Sequence, residues 1–174
     1  MNFLKIKNFL LLFLIIFSYL ISVAKTYAVD ITADRTISSS SDGDQYNIKT
    51  NNDIDVIVTN NSTLERNQKI FNVSAASLTG SSITIHLGSS VIAETNSIFS
   101  NGAELTITNT GTIEATNSIA INVSNSDGVS ITNNKNGVIK SNNNTILGDA
   151  GAGADNVTID NSGEIFTTAT GTES

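Results

Sequence analysis

"LTITNTGTIEATNSIAI" (residues 105–121) sets an apolar–polar–apolar triplet, then an asparagine, a glycine and further isoleucines at short intervals. Residues two apart on a strand point to the same side. Leu105 and Ile107 then face inward, while Thr106 and Thr108 face out. Asn109 and Gly111 bend the chain, Ile113 opens a second inward-facing strand, and Ile119 and Ile121 a third. Asn and Gly suit a bend because both tolerate left-handed backbone angles.

The triplet recurs at Val29/Ile31, Val56/Val58, Ile83/Ile85, Leu105/Ile107, Val129/Ile131 and Val157/Ile159, with spacings of 27, 27, 22, 24 and 28 residues. Eight residues on from each start stand Ile37, Leu64, Val91, Ile113 and Ile165; in the fifth unit Ile139 comes two later, as if two residues were inserted in "NNKNG". A third apolar position falls at Ile70, Ile98, Ile119 and, with the same offset, Ile146. Asn60, Asn109, Asn133 and Asn161 share a place four residues into their units. Three short strands per repeat predict one coil of a parallel β-solenoid, in which equivalent residues lie above one another. The expected fold is therefore all-β, with about six coils. Stacked asparagines are expected to form an amide ladder. Phe71 and Phe99 are expected at matching places, stacked or covering an edge. An antiparallel sandwich of short strands also alternates, but it does not require the same offsets in successive units.

Composition supports this reading. Apolar positions are mostly Ile and Val, polar ones Asn, Ser and Thr, and proline is absent. Beta-branched residues favour strands, and no stretch carries a helical apolar period over three turns. Residues 1–28 read as an export signal: Lys5 and Lys7 precede the apolar run 9–24, and "SVA" and "TYA" end at Ala24 and Ala28. Cleavage after Ala28 is expected, because "TYA" has small residues at both recognition positions and the apolar run ends before it. The run of 16 falls short of the roughly 20 residues that span a bilayer. Residues 29–174 form the expected solenoid domain, with 29–50 as its N-terminal cap region.

Lys5, Lys7 and Lys25 fall within the leader, so residues 29–174 carry six basic against sixteen acidic side chains, a formal charge of −10. Such a surface does not attract nucleic acid or anionic lipid. No cysteine is present, so no disulfide staples the fold and packing must hold it. The tail "TTATGTES" (167–174) is too short and polar to cap the far end, so the chain is expected to be truncated, a fragment of a longer rod.

"ITNTGTI", "ITNNKNGVI" and "VTIDNSGEI" behind a leader, with "ILGDAGAGADNVTIDNSGEI" (146–165) above all, resemble passenger regions of bacterial autotransporters of the type V secretion class. The resemblance covers about residues 50–166. It implies a right-handed β-helix exposed at the cell surface, often as an adhesin; the outward Thr, Ser and Asn rows form a polar strand face suited to weak, repeated contacts with glycans or proteins as partners. It also implies a C-terminal outer-membrane barrel, which needs many segments of about ten alternating residues with aromatic girdles. None follows residue 166, so membrane attachment would need a separate or missing barrel. A cell-surface, secreted or periplasmic location is expected.

Candidate chemistry is sparse, and no catalytic, cofactor or metal residues are assigned. His86 is the single histidine and is expected to face outward on a strand, between Ile85 and Leu87. Asp42 and Asp44 flank a glycine, and Asp149 and Asp155 sit in a glycine-rich loop, yet neither set makes a full calcium loop. Asp53 and Asp55 read as one polar strand face. Asp160, Glu114 and Glu94 occupy different offsets and do not stack into the carboxylate pair a glycosidase needs. "GAGA" (151–154), with Gly148 before it, has no Lys-Ser/Thr behind it, so it is not a phosphate loop. The expected role is structural or adhesive, with a polysaccharide-acting enzyme and a non-functional gene remnant as alternatives.

Overall fold

A computed structural model of the chain describes residues 28–49, 53–59, 61–74, 80–102, 104–148 and 156–169. The leader short of Ala28, Asn60, Asp149 and Asp155 lie outside the described residues.

The first layer holds β1 (Ala28–Ile31), β2 (Arg35–Ile37) and β3 (Ser41–Asp42), and the second β4 (Gln45–Ile48), β5 (Asp55–Val58) and β6 (Thr63–Arg66). The third has β7 (Phe71–Val73), β8 (Ser81–Ile85) and β9 (Ser90–Ala93), and the fourth β10 (Ile98–Asn101), β11 (Leu105–Asn109) and β12 (Thr112–Ala115). The fifth has β13 (Ile121–Asn125), β14 (Ser130–Asn133) and β15 (Val138–Ser141), and the sixth β16 (Ile146–Leu147), β17 (Thr158–Asn161) and β18 (Glu164–Thr167). Every third strand joins one sheet. The result is three parallel six-stranded sheets, β1-β4-β7-β10-β13-β16, β2-β5-β8-β11-β14-β17 and β3-β6-β9-β12-β15-β18. This is the expected parallel β-solenoid.

Columns of aliphatics fill the interior. On the second sheet Val56, Ile83, Ile107, Ile131 and Ile159 stand in register. On the third, Leu64, Val91, Ile113, Ile139 and Ile165 do the same. All but the last member of each column are buried. Burying such a side chain contributes roughly 1.5–3 kcal/mol before chain entropy is set against it.

The phase of the repeat differs from the sequence reading in three places. Val29 and Ile31 belong to the first sheet, opposite Tyr46 and Ile48, while Arg35 and Ile37 are the true partners of Val56 and Val58. The triplet at 29–31 imitates the later ones, but it lies on another face of the tube. Next, Ile83 pairs with Ile107 and Ile85 with Asn109, so the units starting at 105, 129 and 157 are in register two residues later. The offset at Ile139 is therefore no insertion peculiar to the fifth coil. From the last inward position of the second sheet to the first of the third is six residues at Val58–Leu64, Ile85–Val91 and Asn133–Ile139, but four at Asn109–Ile113 and Asn161–Ile165. The first coil also has four, at Ile37–Ser41, so coils one, four and six have the shorter corner.

Third, the first-sheet column is Tyr46, Phe71, Ile98, Ile121 and Ile146, so Phe71 and Ile121 occupy places expected of Ile70 and Ile119. Phe71 and Phe99 do not match. Phe71 is fully buried, its ring centroid 5.6 Å from that of Tyr46, whereas Phe99 sits opposite Asn72 on the outer side. Ile70 is buried at the preceding corner, where it continues as Ser97, Ala120 and Thr145.

Candidate functional site: polar outer faces and a corner groove

The outward side chains of the second sheet form two rows across the layers. One runs Asp55, Ser82, Thr106, Ser130, Thr158, and the other Ile57, Thr84, Thr108, Thr132, Asp160. Period-two alternation alone puts them there: each hydroxyl follows or precedes an inward-facing isoleucine. Layers lie about 4.8 Å apart, so hydroxyls repeat at that interval along the rod. Ser82 Oγ donates to Asp55 Oδ1 at 2.6 Å, which shows how neighbours in a row link.

On the third sheet the outward row is Glu65, Ile92, Glu114, Lys140, Phe166. Lys140 Nζ lies 2.9 Å from Glu114 Oε2 in the layer below. On the first sheet the row is Asp30, Asn47, Asn72, Phe99, Asn122, Leu147. Asn47 Nδ2 donates to Asp30 Oδ1 at 3.1 Å, and Asn72 Nδ2 to Asn47 Oδ1 at 3.3 Å.

A groove of about 600 Å³ follows the corner between the third and first sheets, lined by Gln45, Gln68, Lys69, Asn72, Thr95, Asn96 and Ser118. These come from four successive layers, so the groove runs along the rod axis. Hydrogen bonds to backbone and side chain hold its walls: Asn96 Nδ2 donates to Ile119 O at 3.1 Å, and Arg66 Nη1 to Gln45 Oε1 at 2.7 Å and to Lys69 O at 3.1 Å. Lys69 Nζ sits 3.6 Å above the Phe99 ring centroid, a cation–π contact. Partial burial lowers the pKa of both Lys69 and Arg66, with Asp44 pulling Arg66 the other way. Arg66 Nε is buried with no hydrogen-bond partner among the described residues.

The sequence candidates are scattered. His86 is exposed, but it stands just past β8 at the start of a turn, where Nδ1 lies 3.3 Å from Thr59 Oγ1. Leu87 is 62% exposed rather than inward, because the turn ends the alternation. Asp53 and Asp55 do flank buried Ile54 on one exposed face. Asp44 lies beside Arg66, and Asp42 shares strand β3 with Ser41. Glu94 Oε1 accepts from Asn117 Nδ2 at 2.9 Å, Glu114 is paired with Lys140, and Asp160 is on another sheet. Among the described residues no three His, Cys, Asp or Glu are grouped to hold a metal ion.

The asparagine ladder is present, and it lies inside. Asn109, Asn133 and Asn161 point inward in the column below which Ile85 stands. Asn109 Nδ2 donates to Asn133 Oδ1 and Asn133 Nδ2 to Asn161 Oδ1, both at 2.8 Å. Gly111 also has a different task from the one expected, and Gly163 shares it, since neither has a positive φ. A Cβ on Gly111 would lie 2.3 Å from Ser89 O, and one on Gly163 would lie 2.3 Å from Gly137 O. They are glycine because the short corner presses on the backbone of the layer below. The groove escaped sequence reasoning because its residues sit in corners between strands, where no periodicity marks them. Comparisons of the chain with protein-family models, with curated proteins and with solved structures give no match.

Proposed function

We propose that the protein is an exported, surface-associated rod of the autotransporter-passenger kind that adheres to glycans through many weak polar contacts. The observation that carries this reading is the repetition of the outer rows: Ser82, Thr106, Ser130 and Thr158 in register, with the amide-lined corner groove alongside. Hydroxyls and amides at a fixed interval suit a polymer of hydroxyl groups, and repetition raises avidity where each single contact is weak. The apolar leader supports export. The separation of Glu94, Glu114 and Asp160, each differently engaged or on a different sheet, supports binding without catalysis.

The test is to express the full chain, recover the exported form and display it on beads. Its N-terminus is expected at Val29, and the beads are expected to be retained on part of a glycan panel. Asn72→Ala together with Gln68→Ala should weaken retention several-fold without loss of fold. Beads that hold no glycan, or that release a cleaved oligosaccharide, sink the reading.

A further inference from the structure

The middle of the second sheet's outer face is a field of hydroxyls without a charge. Its two rows read Ser82, Thr106, Ser130, Thr158 and Thr84, Thr108, Thr132, and Asp55 and Asp160 stand only at the ends. The chain that carries this field has a formal charge of −7. Ser82 is spent on Asp55. The hydroxyls of Thr84, Thr106, Thr108, Ser130, Thr132 and Thr158 have no hydrogen-bond partner among the described residues. The corner beside the field is different, because its polar groups satisfy one another. Asn134 Nδ2 donates to Thr110 Oγ1 at 3.2 Å, and Thr59 Oγ1 lies 3.3 Å from His86 Nδ1.

The field is also held stiffly. Its strands pair in unbroken register, whereas β10 and β13 slip between Phe99 and Asn101. Beneath the hydroxyls Ile83, Ile107 and Ile131 are fully buried. The inward amides of Asn109, Asn133 and Asn161 clamp β11, β14 and β17 to one another at 2.8 Å. Threonine adds stiffness of its own, since branching at Cβ restricts χ1.

Spacing decides what such a field can bind. Successive strands put hydroxyls about 4.8 Å apart along each row. In tetrahedrally bonded water, two oxygens that share a neighbour stand about 4.5 Å apart, given a bond of about 2.75 Å. The two rows are separated by two strand rises, about 6.6 Å. Puckered layers of the same water lattice repeat at about 7.3 Å. Both directions agree to within about a tenth. We propose that this face binds the surface of ice, its hydroxyls standing in for lattice oxygens. A neutral lattice matches an uncharged field, and it leaves Asp55 and Asp160 outside the contact. Each hydroxyl binds weakly, and the rigid repetition makes the contacts simultaneous. Ice binding uses the flat field and not the corner groove, so it does not rest on glycan adhesion.

The full chain is dissolved around a slowly growing ice hemisphere, and its concentration is measured in the ice and in the remaining liquid. Uptake into the ice well above that of an inert protein of the same size is expected. Thr108→Tyr, at the centre of the field, should cut uptake several-fold with an unchanged melting temperature. Glu65→Tyr sets the same bulk on the outer face of the third sheet and should leave uptake unchanged. The Gln68→Ala, Asn72→Ala pair should also leave uptake unchanged, so ice binding and glycan retention fail separately. Should Thr108→Tyr lose its fold, Thr106→Lys, at an exposed place in the same field, carries the same expectation. Exclusion of the parent chain from ice, undiminished uptake of the folded field variant, or an equal loss in Glu65→Tyr overturns the proposal.

Discussion

At the residue scale, the interior changes chemistry along its axis. The column that begins Ile37, Val58, Ile85 becomes Asn109, Asn133, Asn161. A buried amide is tolerated only when its hydrogen bonds are met. Asn109 Oδ1 accepts from Gly111 N at 3.2 Å and its Nδ2 donates upward, so both ends are satisfied. Two demands are thereby coupled: the amide replaces a turn hydrogen bond, and the glycine after it lets the corner shorten. Asn133→Ala removes the middle of this chain and leaves the buried Asn109 Nδ2 short of its best acceptor. Such a loss costs about 1–3 kcal/mol. Asn161→Ala is expected to cost less, because Asn161 is exposed. Urea denaturation of the two variants measures the difference, and equal costs would show that the ladder does not stabilise the interior. The recurrence of these asparagines was plain in the sequence, but their direction was not. A strand residue after two inward aliphatics reads equally as the start of a bend, and only the register of Asn109 against Ile85 places it inside.

At the element scale, strand pairing shows what periodicity can and cannot carry. The columns Leu64–Val91–Ile113–Ile139–Ile165 were legible because alternation and recurrence agree there. The first coil was misphased because "VDI" at 29–31 has the same spacing of apolar residues two apart as "VIV" at 56–58. Its place is settled instead by long-range contacts: Lys49 Nζ lies 3.2 Å from Asp30 Oδ1, and Asn47 bonds the same carboxylate. These bonds join β1 to β4, the only strand it pairs with among the described residues. The Asn47 amide and then Lys49 hold the Asp30 pKa below its ordinary value. A carboxylate whose pKa is depressed on folding contributes stability above the unfolded pKa and loses it as pH falls through the folded one. Asp30→Asn should therefore lower the urea midpoint slightly at pH 7, and the gap to the parent should close below about pH 4. The effect is expected to be small because Asp30 is solvent-exposed and screened. A gap that widens on acidification would mean that the carboxylate does not fasten β1.

At the scale of the whole molecule, each layer touches only its neighbours, so stability is a sum of layer and interface terms along one axis. Such a sum predicts unfolding that starts where an interface is missing. The inner layers are sealed on both sides: Ile83, Ile107 and Ile131 are fully buried. Among the described residues the sixth layer is sealed on one side only, and its inward Ile159 remains half in water. The first layer has the opposite edge, yet Ile31 and Ile37 are covered and Asp30 is tied down. Fraying is thus expected to be one-sided. Amide hydrogen exchange should be slowest in β8, β11 and β12, intermediate in β1 and β2, and fastest in β17 and β18. Local opening free energies approach zero at fraying ends and the global value in the core, so the range along the axis should be several kcal/mol. Ile107→Asp should then collapse protection throughout, whereas Ile159→Asp should accelerate exchange in the sixth layer and leave the third untouched. Uniform protection along the axis, or a loss in β8 on changing Ile159, would mean that the tube unfolds as a single unit and that its layers are not independent stacking elements.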